Sequence, residues 1–182
     1  MTADNAQKFS FIQSGLIEIL GADYIQGLSL TKGDVLQLKA VWKALARQFG
    51  EDAAYGLLLR AGRAGFYYWM RQNAASLGWR ETDFRLQPAP ARTRRTLTGF
   101  LEWLNKQSAF RASLAGDAER WQVRASYLTD EGNPLECSFF LGMLQEASGW
   151  AGSGKFYPAR ESACQATGAA ECLFEIEKKP AG

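Results

Sequence analysis

The spacing of apolar residues changes period along this chain, and that change limits what the chain can fold into. Up to about Gln107 apolar side chains recur at helical intervals, as in Leu38, Val41, Trp42, Leu45 and Phe49, and again in Leu97, Phe100, Leu101 and Leu104. From Arg120 to Leu128 the period is two: Trp121, Val123, Ala125 and Tyr127 alternate with Gln122, Arg124 and Ser126, the mark of a half-buried strand. Two further strand-like runs, about Phe156 to Cys164 and Glu171 to Glu177, flank a turn at Thr167 and Gly168. Helices followed by a mostly antiparallel C-terminal sheet predict an α+β fold, with the N-terminal and central helices packed on the sheet.

Between these landmarks the spacing predicts helices over residues 8–20, about Asp34 to Phe49, about Asp52 to Leu77, and Arg94 to Gln107. Tyr24 to Leu30 reads as a strand or an irregular link, and Pro88 with Pro90 as a surface link between two halves. In the long helix Ala54, Leu58, Ala61, Gly65 and Tyr68 form one side, where small residues let another backbone come close. Arg60, Arg63, Tyr67 and Arg71 form a solvated polar side. A helix from Pro134 has Asn133 as N-cap and Glu136 to close a capping box, and is apolar nearly all round from Cys137 to Leu144.

The length of 182 residues fits one domain, taken as 1–182. With 47% hydrophobic and 22% charged residues, it can bury a core without disulfides. The charges nearly cancel, at 21 cations against 19 anions, and the most basic stretch, Arg92 to Arg95, is too thin for a nucleic-acid site. No signal peptide is visible, and no run approaches the roughly 18 apolar residues of a membrane span. A cytoplasmic location is therefore expected, where three cysteines are more often metal-bound, catalytic or free than paired. There is no histidine, which excludes Ser-His-Asp and Cys-His catalysis and every imidazole-ligated metal site.

The chemistry concentrates near the C-terminus. Glu161, Cys164 and Cys172, with Cys137 upstream on the first turn of its helix, supply four anionic ligands of the kind zinc takes in a tetrahedron. Direct pairing of Cys164 and Cys172 across the hairpin would bring their Cβ atoms to about 4.5–5.5 Å. Residues three apart on a regular strand face opposite ways, so Glu161 and Cys164 require a bulge or bend between them. Three thiolates and a carboxylate around a dication leave two negative charges; Arg160 and Lys155 are near in sequence to balance them. From spacing alone, three unrelated buried cysteines or a Cys164–Cys172 disulfide remain open.

At these residues the chain resembles the 4-vinyl reductase domain family, a ligand-binding module found as the sensor of phenol-responsive bacterial activators and related to Golgi transport-particle components. The resemblance rests on Arg60, Ala61, Gly62, Arg63, Ala64 and Gly65, on Cys137 with its helix, and on Glu161-x2-Cys164-x7-Cys172-x-Phe174. It is strongest over 57–177. It implies the α+β ligand-binding fold of NO-signalling and Golgi-transport domains and a homodimer built through the N-terminal helices. It also implies a structural Zn2+ on Cys137, Glu161, Cys164 and Cys172, and a small hydrophobic or aromatic ligand near it. The phenol sensors place a histidine against the ligand hydroxyl, and this chain departs from them in having none. It also ends before any ATPase or DNA-binding part, so output is expected through a separate protein or a change in subunit number.

Candidate ligand-contacting residues are Phe66, Trp69, Phe100, Trp103, Trp121, Phe139, Phe140, Met143 and Trp150, apolar groups of the kind that line small-molecule sites. The leading functional expectation is a zinc-stapled sensor or carrier domain. The alternatives are a catalytic or accessory role in tetrapyrrole vinyl reduction, for which no redox-cofactor motif is present, and a protein–protein adaptor.

Overall fold

The computed structural model describes residues 9–28, 38–108, 110–127 and 136–181. Two compact units emerge: residues 9–69 with 136–143, and 70–127 with 144–181. Seven α-helices and four strands are present among the described residues, an α+β architecture as the change of period predicts.

In the first unit α1 (Ser10–Leu20) buries Phe11, Ile12 and Leu16, and stops at Gly21, whose φ of 87° breaks the helical path. A six-residue helix, α2 (Ala22–Gly27), follows where the sequence reads as a strand or link. Gly21 lets the chain restart immediately, and Tyr24 donates its hydroxyl proton to Gln48 Oε1 at 2.9 Å. Residues 29 and 30 lie outside the described segment, as do 34–37 of the next expected helix, which is seen as α3 (Leu38–Phe49). Leu38, Val41 and Leu45 are fully buried, but Phe49, expected in the stripe, is 51% exposed and sits 6.5 Å from the Tyr24 ring.

Helix α4 (Glu51–Asn73) opens on Glu51 and Asp52, which complement its dipole. It ends four residues before the expected Leu77, because Ala74 leaves the helix for a run of turns. Its arginine-bearing side is exposed and its small-residue side buried, as predicted. The reason is a close crossing with α7 (Cys137–Ala151): a Cβ on Gly62 would lie 1.9 Å from the Phe139 carbonyl oxygen, and one on Gly142 would lie 2.0 Å from that of Leu59. Only glycine at both positions lets the two backbones meet. Asn133 and Pro134 lie outside the described residues. Within them it is the Glu136 carboxylate that caps α7, accepting N–H bonds from Ser138 (3.0 Å) and Phe139 (3.1 Å).

In the second unit the short α5 (Thr82–Arg85) precedes α6 (Ala89–Gln107). Pro88 and Pro90 are therefore helix starters rather than a link, since the first turn has no intrahelical use for the N–H that proline lacks. Leu97, Phe100, Leu101 and Leu104 are buried as expected, joined by Thr93 and Thr96. Arg92 of the basic stretch is consumed structurally, donating to Ala151 O (2.9 Å), Arg85 O (3.1 Å) and Ser153 Oγ (2.7 Å).

The sheet comprises β1 (Phe110–Gly116), β2 (Arg120–Tyr127), β3 (Ala159–Ala163) and β4 (Cys172–Glu177), antiparallel in the order β1-β2-β4-β3. Strand β1 was not legible in the sequence. The side chain of Asn105 pairs with its free edge, donating to Ala112 O and accepting from Ala112 N, each at 2.8 Å. One sheet face is apolar, with Val123, Ala125, Phe174 and Ile176 buried; the other carries Arg120, Arg124, Arg160, Glu171, Glu175 and Glu177 in alternating ion pairs.

Candidate metal centre

The closing hairpin of the second unit builds the site. Ala159 pairs with Ile176, Arg160 with Glu175 and Glu161 with Phe174, but the register then shifts so that Ala163 faces Leu173. This is the bulge that the Glu161–Cys164 spacing demands: one extra residue, Ser162, lets two side chains three apart point the same way. Cys164 follows the strand, and its carbonyl accepts N–H bonds from Thr167 and Ala169, each at 3.1 Å. A 3-10 turn (Gln165–Thr167) and Gly168, at φ 98°, reverse the chain. Cys172 then starts β4, only 1% exposed and opposite Ala125 of β2.

Within this hairpin the ligand atoms of Glu161, Cys164 and Cys172 all lie within 4.8 Å of one another. Glu161 Oε1 is buried without a hydrogen-bond partner. The Gln165 amide N–H points at Cys172 Sγ, 3.4 Å away, an arrangement that favours a sulfur bearing negative charge. No disulfide joins the three cysteines. Arg160, near in sequence, does not serve this group. It is on the opposite face of β3, where its guanidinium donates to Glu175 Oε2 from Nε at 2.8 Å and Nη2 at 2.6 Å. Lys155 is exposed.

Cys137, in the first unit, is the first residue of α7 and is half-buried. A thiolate at a helix N-terminus is ordinarily favoured by the unpaired N–H groups there. In the structure the free N–H groups of Ser138 and Phe139 are already taken by the Glu136 carboxylate, so that support is shared with a fixed anion.

The candidate aromatic residues divide between the units. In the first, Phe66 and Trp69 are fully buried with rings 5.5 Å apart, and Phe139, Phe140 and Met143 are fully buried on α7. In the second, Phe100 is fully buried, while Trp103, Trp121 and Trp150 are half-buried. Trp150 stacks on Phe84 (5.8 Å) and meets Trp79 at a tilt (5.5 Å), which accounts for it as core, and the Lys178 ammonium sits 4.0 Å over the Trp121 ring. A groove of about 700 Å3 passes Trp79, Arg94, Thr98, Glu102 and Trp121. Sequence reasoning missed Gln165 as a sulfur-facing donor, because a backbone amide leaves no trace in residue type. It also missed the buried Thr96, although residues 93, 96, 97 and 100 share one helical side.

No family model matches this chain, and no curated protein does. Solved structures of the same fold exist. The H-NOX protein of K. algicida, described in its Fe(II) unliganded form, is similar with a TM-score of 0.60 at 9% identity, covering 97% of each chain. An H-NOX structure probing haem distortion gives 0.54 at 12% identity, over 100% of this chain and 97% of that one. The phenol-responsive sensory domain of the transcription activator PoxR, solved with phenol, gives 0.52 at 14% identity, over 91% and 89%. The α+β fold of this chain is that of these H-NOX and phenol-responsive domains.

Proposed function

We propose that this chain is a sensor domain for a small hydrophobic ligand, stapled by one structural Zn2+ on Cys137, Glu161, Cys164 and Cys172. The observation that carries the metal half is the hairpin cluster, with its bulge, its unpartnered buried carboxylate oxygen and its N–H directed at sulfur. Cys137 counts with the other three in one group of metal-capable side chains. Zinc at about 2.3 Å from each sulfur needs sulfurs about 3.8 Å apart. The hairpin spacing meets that with shifts smaller than a bond length. Four protein ligands leave no open position, so the metal would hold the hairpin and α7 rather than act on a substrate. Binding zinc also removes the cost of burying Glu161 Oε1 unpaired.

The ligand half is supported by the fold shared with the haem-linked H-NOX proteins and the phenol sensor. Haem held by imidazole does not fit, because the chain contains no histidine and its cysteines belong to the metal group. An organic ligand fits better. The proposal includes a homodimer and a separate output protein. Among the described residues no helix is long and apolar enough to cross a membrane.

Native mass spectrometry of the purified protein would report metal, co-purified ligand and subunit number in one measurement. One zinc per chain, with thermal stabilisation by members of a panel of neutral aromatics, is expected. Absence of stoichiometric zinc would end the metal half, and a uniformly null panel the ligand half.

A further inference from the structure

The groove along α6 lies wholly within the second unit, on the side of the helix opposite the buried stripe of Leu97, Phe100 and Leu104. Its volume of about 700 Å3 is that of a small-molecule site, and so is its lining: Leu77, Trp79, Pro90 and Trp121 supply apolar walls, with Arg94, Thr98 and Glu102 as a few polar groups among them. Both indoles are held in place. Trp79 is backed by Phe84, stacked at 6.1 Å, and by Trp150 at 5.5 Å. Gly116 lies so close to Trp121 that a Cβ there would come within 2.8 Å of its ring, and the Lys178 ammonium rests on the same ring at 4.0 Å. Aromatic faces that are already fixed bind a planar apolar body with little loss of side-chain freedom.

The charges set the rest of the guest. Arg95 is engaged, 3.3 Å from Asp83 and 5.4 Å over the Phe84 ring. Arg94 is exposed and, among the described residues, makes no hydrogen bond or ion pair. Its planar fork matches a carboxylate, which it can hold by two parallel hydrogen bonds. Glu102, also exposed and without a partner among the described residues, stands two turns further along α6, about 12 Å away, and would repel a second acid group. With Lys178 beside Trp121, the groove favours one negative charge and no more.

We infer that this groove is a second ligand site, for a planar aromatic monocarboxylate whose ring lies against Trp79 and Trp121 and whose acid group pairs with Arg94. The site is distinct from that of the neutral ligand proposed above and depends neither on it nor on zinc.

Isothermal titration of indole-3-acetate, 3-methylindole and tryptamine tests it, since the three share a ring and carry an acid, a methyl and an ammonium group. Wild type should bind indole-3-acetate most tightly and tryptamine least. Arg94→Gln should weaken indole-3-acetate about tenfold, the size of one lost charge-assisted pair, and leave 3-methylindole unchanged, while Arg94→Glu should reverse the order of acid and amine. Arg94 is exposed, so these variants should fold. Ala91→Trp, also at an exposed position on the groove wall, should block all three probes by filling the space. Indole-3-acetate bound no more tightly than 3-methylindole, bound equally by wild type and Arg94→Gln, bound equally by wild type and Ala91→Trp, or not bound at all would each overturn the inference. None of these results would touch the zinc-stapled sensor reading, whose own tests are metal content and the panel of neutral aromatics.

Discussion

Replacing Gly62 with alanine tests the helix crossing on which the first unit depends. The added Cβ would meet Phe139 O at 1.9 Å, its carbonyl carbon at 2.8 Å and its Cα at 3.0 Å. Carbon and carbonyl oxygen come no closer than about 3.3 Å, so roughly 1.4 Å of separation must be found. All three obstructing atoms are helix backbone, which cannot rotate aside as a side chain can. Helices α4 and α7 must part, and that also unseats Gly142 from Leu59. Forcing a methyl group into a packed core costs about 1–3 kcal/mol, and a backbone obstacle puts this case at the upper end. Against that stands a gain of about 1 kcal/mol from the better helix propensity of alanine. The net is about 2 kcal/mol of destabilisation, or a Tm lower by roughly 4–8 °C in a chain of this length. Gly56→Ala is the control: it shares the helix, a Cβ there meets nothing within 4 Å, and it should be neutral to stabilising. Thermal and urea unfolding of both variants decide the matter. A Gly62→Ala protein as stable as the Gly56→Ala protein would refute the crossing.

Cys172→Ser should reduce bound zinc from about one per chain to near none and lower Tm sharply, by elemental analysis and calorimetry; unchanged values of both would remove Cys172 from the site. Asn105→Ala should cost about 1–2 kcal/mol, since it leaves the N–H and C=O of Ala112 without partners, and should speed hydrogen exchange at Ala112; equal exchange rates would count against the edge pairing. Acid should weaken the fold. The Arg160 hydrogen bond and charge hold Glu175 below the usual carboxylate range against the opposing effect of burial, and the Arg120 and Glu119 amides do the same for Asp117. Groups lowered on folding contribute stability above their unfolded pKa, about 4, that is lost as pH falls through the folded value. Urea midpoints measured from pH 6 to 2.5 should therefore drop below about pH 5, and Glu175→Gln should flatten that slope; a slope equal to wild type would refute Glu175 as a source.

The sequence made legible those parts of the fold whose burial is one-sided. Leu97, Phe100, Leu101 and Leu104 recur at helical spacing, and α6 is buried along that stripe. Strand β1 escaped because it is an edge strand with one fully buried side chain, Phe110, so its alternation of Ala112, Leu114 and Gly116 with Arg111, Ser113 and Ala115 is faint. Helix α2 escaped because six residues carry too little periodicity to outweigh the strand-like pair Tyr24 and Ile25. Phe49 misled because position in a stripe says nothing about a helix's last residue, where the partner surface runs out. The proline pair at 88 and 90 reads the same whether it breaks a chain or starts a helix; only the turns before it decide.

The two halves of the proposed site differ in legibility for a chemical reason. A metal needs particular atoms, so thiol and carboxylate residues announce it, and the one conflict in their spacing, Glu161 against Cys164, predicted a bulge that the backbone contains. An apolar ligand needs shape and few polar atoms, and nine aromatic or Met candidates cannot be told from core by type alone. What narrows the ligand is polar bookkeeping instead. With no histidine in the chain and no charged side chain buried among the described residues, a neutral guest is the one that burial tolerates.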